Sequence, residues 1–301
     1  MTKEIVLITG YNGSLTKHLT KFLKTKYAVR SLTTSKKSLF DNNVFFWDPS
    51  NEILDTNALK GCSHIIHLAG FPILSKWTKK NKKLIYDSRI KSSRLIFNSI
   101  KKLGLKIETF ISASAIGIYK ENTSNNQNES SSRSKSWIGK LVSDWEDESN
   151  KFDELNARCI QLRIPLIFDK KHGFLKYNLL SMKFGMGLIF GKKNQILNWV
   201  STNDICRFIE FSIKNKNIQG PFNIASSKKY SKIDILRNIR LNKYKYSIVI
   251  SLPDYLVDLI FGEKSSIIKS NINICSKKIN NTGFKFHDTE IEKLYKSQRN
   301  C

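Results

Sequence analysis

Two glycines in the segment "GYNGSLT" have the spacing of a phosphate-binding turn. Gly10 and Gly13 directly follow the apolar run "IVLI", and a helical pattern begins after them. In a strand–turn–helix unit the first glycine makes the tight turn, and the second lets the backbone approach a pyrophosphate at the helix N-terminus. Thr16 replaces a third glycine, which normally serves close helix-on-strand packing. The sequence therefore predicts a dinucleotide turn that keeps its two phosphate-side glycines, with a plain turn as the alternative.

The end of the next predicted strand bears on which dinucleotide binds. The stretch "AVRSLTTSKK" ends in Thr33, Thr34, Ser35, Lys36 and Lys37, without Asp or Glu. An acidic residue here would bond the ribose hydroxyls of NAD, whereas hydroxyls and cations suit a 2′-phosphate. The sequence therefore favours NADP over NAD.

The elements that must position these residues alternate along the first 170 residues. Helical patterns at 14–25, 79–103 and 137–155 lie among apolar, β-rich runs at 4–9, 28–33, 44–47, 64–69, 108–114 and 159–168. Strands without polar alternation predict a parallel sheet that is buried on both faces. The predicted fold class is therefore α/β, a Rossmann-type doubly wound parallel sheet, whose ligands bind at the carboxyl ends of the strands.

Beyond about residue 170 the pattern loosens into shorter elements. "DICRFIEFSI", "DILRNI", "DYLVDLI" and "EIEKLY" predict helices, and "PFNIA" predicts a strand. We therefore predict a dinucleotide-binding domain over 1–170 and a smaller C-terminal α/β lobe for the substrate over 171–301. The polar segment 120–136, rich in Asn and Ser, is predicted to be a surface loop.

Composition bounds the remaining possibilities. The net charge of +26 would suit a nucleic-acid binder, but the lysines are spread over nearly every segment, which argues against one. Only "KWTKKNKK" (76–83) is dense, and it predicts a solvated helix start. The longest apolar stretch, "IIHLAGFPIL", is too short to span a bilayer, and "MTKEIVLITG" lacks the clean apolar region of a signal peptide. These features predict a soluble, cytoplasmic protein without a membrane partner.

The cysteines and histidines do not predict a metal site. The five cysteines are widely spaced and form no C-x-x-C pair, so neither a disulfide framework nor a zinc site is expected. His64 and His67 lie on a predicted strand, where an odd offset sends their side chains to opposite faces. We expect one of them to be packed and the other to lie near the strand end.

Several blocks of the sequence resemble one family. "HLAGFPILSKWTKKNKKLIYDSRIKSSR" (67–94) resembles the "HLAG...RWT...DSRI.GTR" block of the epimerase-like family of extended short-chain dehydrogenases/reductases, which are NAD-dependent epimerase/dehydratase-like proteins. "FISASAIGIY" (110–119) is similar to the family's "SASAIGYYG", and "LPDYLVDLIFGE" and "GFKFHDTEIEKL" are similar to its C-terminal domain, at about 250–297. The resemblance implies an NAD(P)-binding Rossmann-type domain, a small substrate lobe, and a nucleotide-sugar-epimerase-like protein.

The resemblance also implies a cofactor site at several strand ends. By matched position, the pyrophosphate would be held by Gly10, Asn12, Gly13, Ser14 and Leu15. Asp48 would face the adenine, and the ribose side would be lined by Leu68, Ala69 and Gly70. Thr34 takes the place of a usual arginine in the cofactor site, and Arg89 would reach the cofactor or an anionic substrate.

Two of these side chains have alternative roles, and one further arginine is predicted to be structural. Asp48 can instead cap a turn before Pro49. Arg89 can instead pair with Asp87 or another neighbouring acid. Arg163, in the middle of an apolar strand, is predicted to be a buried structural cation with a partner.

The acid–base pair of the superfamily has no match in this chain. Enzymes of the superfamily that the resemblance points to use a Tyr-x-x-x-Lys pair, in which the lysine and the cofactor lower the tyrosine pKa so that the phenolate can move a proton during hydride transfer. The epimerase-like family itself resembles this chain in having an aromatic residue but no such pair. None of the ten tyrosines has Lys four residues later. In "SWIGKLVSDWE" the two positions are Trp137 and Leu141, which supply neither a proton-accepting oxygen nor a charge. Lys140 is turned by about 100° from the required face.

Ser114 and Tyr119 are the remaining catalytic candidates. Ser114 matches the superfamily serine, and Ser112 should share its face of the strand. Tyr119 could act as the acid or base from the strand-end loop, or it could pack and hydrogen-bond as a structural residue. We therefore expect an NAD(P)-binding protein that performs redox-linked epimerisation or reduction of a small or nucleotide-linked substrate, or else a non-catalytic dinucleotide-binding or regulatory protein.

Overall fold

The computed structural model describes residues 3–121 and 125–296. Its strands are β1 (Ile5–Thr9), β2 (Ala28–Thr33), β3 (Val44–Asp48), β4 (Ile53–Leu54), β5 (Cys62–His67), β6 (Thr109–Ala115), β7 (Arg158–Ile164), β8 (Leu166–Phe168), β9 (Met186–Phe190), β10 (Ile196–Leu197), β11 (Trp199–Ser201), β12 (Gly220–Asn223), β13 (Tyr230–Ser231) and β14 (Ile248–Leu252). Its α-helices are α1 (Ser14–Leu23), α2 (Lys79–Leu103), α3 (Trp137–Asn150), α4 (Gly173–Lys183), α5 (Thr202–Lys214), α6 (Lys232–Asn242), α7 (Asp254–Phe261), α8 (Ser265–Lys269), α9 (Lys277–Asn281) and α10 (Glu292–Tyr295).

Eight of the described strands form one sheet in the order β12-β7-β6-β5-β1-β2-β3-β4. β1 is parallel to both β2 and β5, β2 is parallel to β3, and β5 is parallel to β6, whereas the short β4 is antiparallel to β3. The chain thus builds outward from β1 in one direction and then outward from β5 in the other. This order confirms the predicted Rossmann-like α/β fold and places its switch point, where such sheets bind ligands, between β1 and β5.

The core of the sheet explains its uninterrupted apolar strands. Val6, Leu7 and Ile8 of β1 are all fully buried, although successive strand residues face opposite sides of a sheet. Leu7 belongs to a cluster with Ile96 and Ile100 of α2. Both faces of the central strands are therefore covered, as the sequence predicted.

Two predicted elements have different bounds in the structure. The helix expected over 137–155 ends at Asn150 and continues as a 3₁₀ turn over Lys151–Leu155. The apolar run 159–168, predicted as one strand, is two strands on either side of Pro165, because proline has no N–H to donate to a ladder.

The chain divides into two compact units that are interleaved in sequence. The first contains the described residues up to Ile118 together with Arg133–Arg163 and Cys206–Phe222, and the second contains the described parts of Tyr119–Ser132, Ile164–Ile205 and Asn223–Cys301. The assignment of 1–170 to the cofactor and 171–301 to the substrate stays a prediction. Residues 122–124 of the predicted loop and 297–301 of the predicted lobe lie outside the described residues.

The second unit has its own core and small sheets. β9 is parallel to β14, β8 is parallel to β11, and β10 is antiparallel to β13. Phe168 and Trp199 stack with ring centroids 5.1 Å apart inside its apolar cluster. The buried Asp204 carboxylate accepts the backbone N–H groups of His287 and Asp288, each at 2.9 Å, which anchors the C-terminal segment. Within the described residues, no helix is long and apolar enough to cross a membrane.

Candidate cofactor site

The glycine turn lies at the switch point and packs directly on the end of β5. Gly10 has φ +83°, and a Cβ there would lie 3.1 Å from Ala69 Cα and 3.2 Å from Ala69 N. The Gly13 N–H donates to the Gly10 carbonyl at 2.8 Å, and a Cβ on Gly13 would lie 3.0 Å from that oxygen. A side chain at Gly10 is therefore opposed by both the backbone angle and the close contact, and Gly13 leaves little room for one.

The N-terminus of α1 is open to an anion. Gly13 is its N-cap and supplies no side-chain hydrogen bond, and the first turn contains no acidic residue. Asn12 is exposed, and Ser14 and Leu15 are half-buried. The first backbone N–H groups of a helix have no partner within the helix, and the helix dipole adds positive potential. The turn therefore offers what the predicted pyrophosphate site needs.

Thr16 fills the place of the missing third glycine without leaving a polar group unpaired. Its side chain is buried, and its hydroxyl donates to the carbonyl of Thr9 at 3.3 Å. Because β1 and α1 accommodate the threonine, the change from glycine preserves the turn.

The segment after β5 is held against the turn by side-chain hydroxyls. The N–H groups of Leu68 and Ala69 both donate to Thr9 Oγ1 at 3.0 Å. The N–H of Phe71 donates to Ser88 Oγ at 2.8 Å. The structure thus brings this part of the predicted ribose side next to the predicted pyrophosphate turn.

Arg89 of α2 places a guanidinium beside this segment. Its Nη1 donates to the carbonyls of Phe71 at 3.1 Å and Ile85 at 2.9 Å, and its Cζ lies 5.0 Å from the centroid of the Trp145 ring. A Cβ on Gly70 would lie 3.1 Å from the guanidinium carbon, so the group rests directly on the Gly70 backbone.

Within residues 3–121 and 125–296, no carboxylate balances the charge of Arg89. Asp87, the predicted alternative partner, pairs instead with Lys83 at 2.9 Å and Lys91 at 3.6 Å. No carboxylate among the described residues contacts Arg89. Burial lowers its pKa to about 10, so it stays charged at neutral pH. The Nε1–H of neighbouring Trp145 is also buried without an acceptor in the described structure. A partly buried cation in this setting suits an anionic ligand.

The two predicted contacts to the adenosine half differ in their surroundings. Thr34 is exposed just after β2. The Asp48 carboxylate accepts the N–H of Ser50 at 3.0 Å and the side-chain amide of Asn51 at 2.8 Å, and the Asn51 hydrogen bond lowers the pKa of Asp48. Asp48 therefore has the alternative role of turn cap, and its contact with adenine stays a prediction.

Ser114 belongs to a buried charged cluster. Its hydroxyl donates to Glu146 Oε1 at 2.6 Å, and Arg163 donates to the same carboxylate from Nε and Nη2, each at 2.8 Å. The predicted buried cation with a partner at Arg163 is confirmed, since both side chains are under 5% exposed. Ser112 donates to the carbonyl of its neighbour Ala113 instead. The hydroxyl proton of Ser114 is thus engaged by a carboxylate.

Tyr119 lies within the second unit. It is fully buried, and its hydroxyl donates to Asn223 Oδ1 at 2.7 Å. The Asn223 side chain in turn donates to the carbonyl of Cys275 at 2.9 Å. These contacts match the structural alternative for Tyr119, and a catalytic role stays a prediction.

The Tyr-x-x-x-Lys positions contain a different cluster. Trp137 is half-buried and contacts Trp77 edge to face, with ring centroids 4.8 Å apart, and the Lys82 ammonium lies 5.4 Å from each ring. Leu141 is buried, whereas Lys140 extends into solvent and pairs with Asp144 at 3.2 Å. α3 therefore supplies no phenol–lysine pair.

The two histidines of β5 are both buried and have separate environments. His64 lies 6.4 Å from the Tyr27 ring, and burial lowers its pKa. His67, the last residue of β5, lies between Thr9 and Ser92. The described residues contain no group of three or more His, Cys, Asp or Glu side chains that could hold a metal.

Sequence reasoning missed three participants in the site. Glu146 was not identified because 32 residues separate it from Ser114 in the chain. The sequence also did not identify Trp145 as the ring that contacts the Arg89 guanidinium, or the Thr9 hydroxyl as the acceptor of the backbone N–H of Leu68. No spacing signal links these pairs, because the sheet order brings them together.

The sheet order and the two-glycine turn at its switch point define a Rossmann-like α/β protein. The chain belongs to the NAD dependent epimerase/dehydratase family, whose profile matches residues 6–225. The family resemblance predicted from the sequence is thereby confirmed.

Curated relatives cover nearly the whole chain. It is 27% identical over 290 residues to Epimerase family protein YfhF of Bacillus subtilis, with 95% of each chain covered. It is 26% identical over 296 residues to Epimerase family protein SH2119 of Staphylococcus haemolyticus, covering 95% of this chain and 96% of that protein.

Solved structures share the fold at low identity. Human epimerase family protein SDR39U1 (isoform 2), solved with NADPH, has a TM-score of 0.83 at 17% identity and covers 95% of this chain and 96% of its own. MoeE5, solved with UDP-glucuronic acid and NAD, has a TM-score of 0.77 at 16% identity, with coverages of 95% and 97%.

Proposed function

We propose that this protein binds a nicotinamide dinucleotide at the carboxyl ends of β1, β2 and β5. The observation that carries the proposal is the glycine turn, where a Cβ on Gly10 would meet the Ala69 backbone and the N-terminus of α1 is open to a phosphate. The turn and its flanks, residues 10–15, would hold the pyrophosphate, and Leu68, Ala69 and Gly70 would line a ribose. The NADPH in the structure of human SDR39U1 and the NAD in that of MoeE5 support this assignment.

We infer a preference for NADP over NAD. The end of β2 is followed by exposed Thr34 and Lys36 and contains no carboxylate that would repel a 2′-phosphate. The Lys36 ammonium lies 5.6 Å from the centroid of the Phe46 ring, which keeps this charge near the strand end. Titration of the protein with NADPH and NADH, followed by nicotinamide fluorescence, tests the preference, and tighter binding of NADH would overturn it.

For the reaction, we propose redox-linked epimerisation or reduction of a small or nucleotide-linked substrate. The bound dinucleotide would supply hydride transfer. Ser114 and Tyr119 are the proposed residues for orienting the substrate and moving a proton. The UDP-glucuronic acid bound to MoeE5 supports a substrate of the nucleotide-sugar kind.

A non-catalytic, dinucleotide-binding function is the second candidate. It is favoured by Trp137 and Leu141 at the acid–base positions and by the engagement of Ser114 with Glu146 and of Tyr119 with Asn223. Such a protein would use the dinucleotide as a ligand and would bind it without turnover.

Removing the guanidinium of Arg89 is expected to weaken cofactor binding. Arg89→Met should raise the Kd for NADPH by about 10- to 100-fold, because a charge-assisted hydrogen bond contributes about 1.5–3 kcal/mol. Calorimetry of both proteins measures the change. Arg94→Met is the matched control, since Arg94 is on the same helix and pairs with Glu148. An unchanged Kd in Arg89→Met would contradict the role of Arg89.

Turnover distinguishes the two candidate functions. With NADPH or NADP and a panel of UDP-sugars, Ser114→Ala and Tyr119→Phe are each expected to lower kcat by about 10²- to 10⁴-fold, the usual contribution of a positioned acid or base. Tyr86→Phe is the control, because the Tyr86 hydroxyl bonds Asp144 on the neighbouring helix. Absence of turnover in the wild type, with intact NADPH binding, would favour the non-catalytic candidate.

A further inference from the structure

A chain of buried hydrogen bonds runs from the segment after β5 into α2. Thr9 Oγ1 lies 2.9 Å from His67 Nδ1, and His67 Nε2 lies 3.0 Å from Ser92 Oγ. Ser92 Oγ lies 2.6 Å from the carbonyl of Ser88. Thr9, His67 and Ser92 are each at most 1% exposed. Solvent therefore does not compete for the hydrogen bonds of these three side chains.

The geometry fixes the proton positions along this chain. A hydroxyl oxygen accepts two hydrogen bonds and donates one. Thr9 Oγ1 already accepts the N–H groups of Leu68 and Ala69, so its own proton must go to His67 Nδ1. A neutral imidazole that accepts at Nδ1 carries its proton on Nε2, which then donates to Ser92 Oγ. Ser92 completes the sequence by donating to the Ser88 carbonyl.

We propose that His67 is a positioning residue for the dinucleotide site and that it acts through Thr9. Its neutral Nε2–H tautomer orients the Thr9 hydroxyl so that both oxygen lone pairs face the backbone N–H groups of Leu68 and Ala69. These two amides set the path of the segment on which Gly10 packs. The expected effect on dinucleotide binding rests on the proposed function. The assignment of the His67 tautomer rests on the hydrogen-bond geometry alone.

The surroundings of His67 favour the neutral ring. Its imidazole packs among aromatic side chains, edge-on to Trp47 with centroids 6.2 Å apart and stacked near Phe110 at 6.1 Å. Burial and, secondarily, the Arg89 guanidinium lower its pKa to about 3. A protonated ring would present an N–H to Thr9, and the hydroxyl would then have to give up one of the two amides.

Paired substitutions at Thr9 test the functional consequence. Thr9→Val removes the hydroxyl at nearly constant volume and is expected to raise the Kd for NADPH at least tenfold, whereas Thr9→Ser keeps the hydroxyl and should stay within about threefold of the wild type. His67→Leu should resemble Thr9→Val, and His67→Asn, which retains an acceptor for the Thr9 proton, should recover part of the affinity. Equal affinities for Thr9→Val and wild type, both folded by circular dichroism, would overturn the proposal.

The tautomer is measured independently of cofactor binding and of any variant. Two-bond ¹H–¹⁵N correlation spectra of the wild-type protein should show His67 with the proton on Nε2 and without titration from pH 8 to pH 5. An Nδ1–H ring, or a ring that protonates near pH 6.5, would overturn the assignment. If the wild type bound neither NADPH nor NADH but gave the expected spectrum, the proposed function would fail while the hydrogen-bond chain would stand.

Discussion

Gly10→Ala is expected to reduce NADPH affinity at least a hundredfold and to destabilise the protein by about 2–4 kcal/mol. The φ of +83° costs an alanine about 1–2 kcal/mol. Its Cβ would also lie 3.1 Å and 3.2 Å from backbone atoms of Ala69, which cannot move away as a side chain can. The turn and the segment after β5 would separate, and both are parts of the proposed cofactor site. Calorimetric titration with NADPH and urea denaturation measure the two effects.

Gly104→Ala is the matched control for this substitution. Gly104 has φ +61° at the end of α2, and a Cβ there would meet no atom within 4 Å. The variant should therefore show only the strain of about 1–2 kcal/mol and an unchanged Kd. If Gly10→Ala bound NADPH within twofold of the wild type, the turn would not be the phosphate site.

Arg163→Met is expected to produce the largest loss of stability among the charged positions, about 3–5 kcal/mol. The substitution leaves the Glu146 carboxylate buried without its cation, and an uncompensated buried charge costs that amount. Ser114 would still donate one hydrogen bond to Glu146, but this neutral donor does not replace the two hydrogen bonds and the positive charge of the guanidinium. The free energy of unfolding in urea measures the change.

Two variants separate the charge effect from a general effect of losing an arginine. Arg133→Met removes a pair with Asp147 at 2.8 Å in which both side chains are about half exposed, so a loss below about 1 kcal/mol is expected. The double variant Arg163→Met with Glu146→Leu should recover most of the stability, because no charge is left buried. A loss below 1 kcal/mol in Arg163→Met alone would show that Glu146 finds another partner.

Local patterns were sufficient for the architecture and for the glycine turn. Unbroken apolar strands followed by helices predict a parallel sheet, because only strands covered on both faces dispense with polar alternation. The spacing of Gly10 and Gly13 after the first strand predicts the phosphate-side turn, because the geometry needed there is local. Pro165 shows a limit of local patterns. The apolar run 159–168 suggested one strand, but the missing N–H of this proline separates β7 from β8.

The partners of the polar side chains depend on contacts between distant segments. The sequence predicted that Arg163 has a partner but could not name Glu146, and it predicted no acceptor for the amides of Leu68 and Ala69. The sequence left Arg89 open between an acidic neighbour and a ligand; in the structure Arg89 lies over the Trp145 ring, whereas Asp87 pairs with Lys83.

The sequence by itself thus determined the fold class and the turn at the end of β1, because both depend on the periodicity or spacing of neighbouring residues, and it identified the family through the resemblance of several sequence blocks. Only the tertiary structure decided that Thr9, His67 and Ser92 form one hydrogen-bond chain and that Ser114 faces a buried carboxylate. The physical reason is that a buried polar group must find a partner, and the order of strands in the sheet, rather than distance along the chain, sets which partners are within reach.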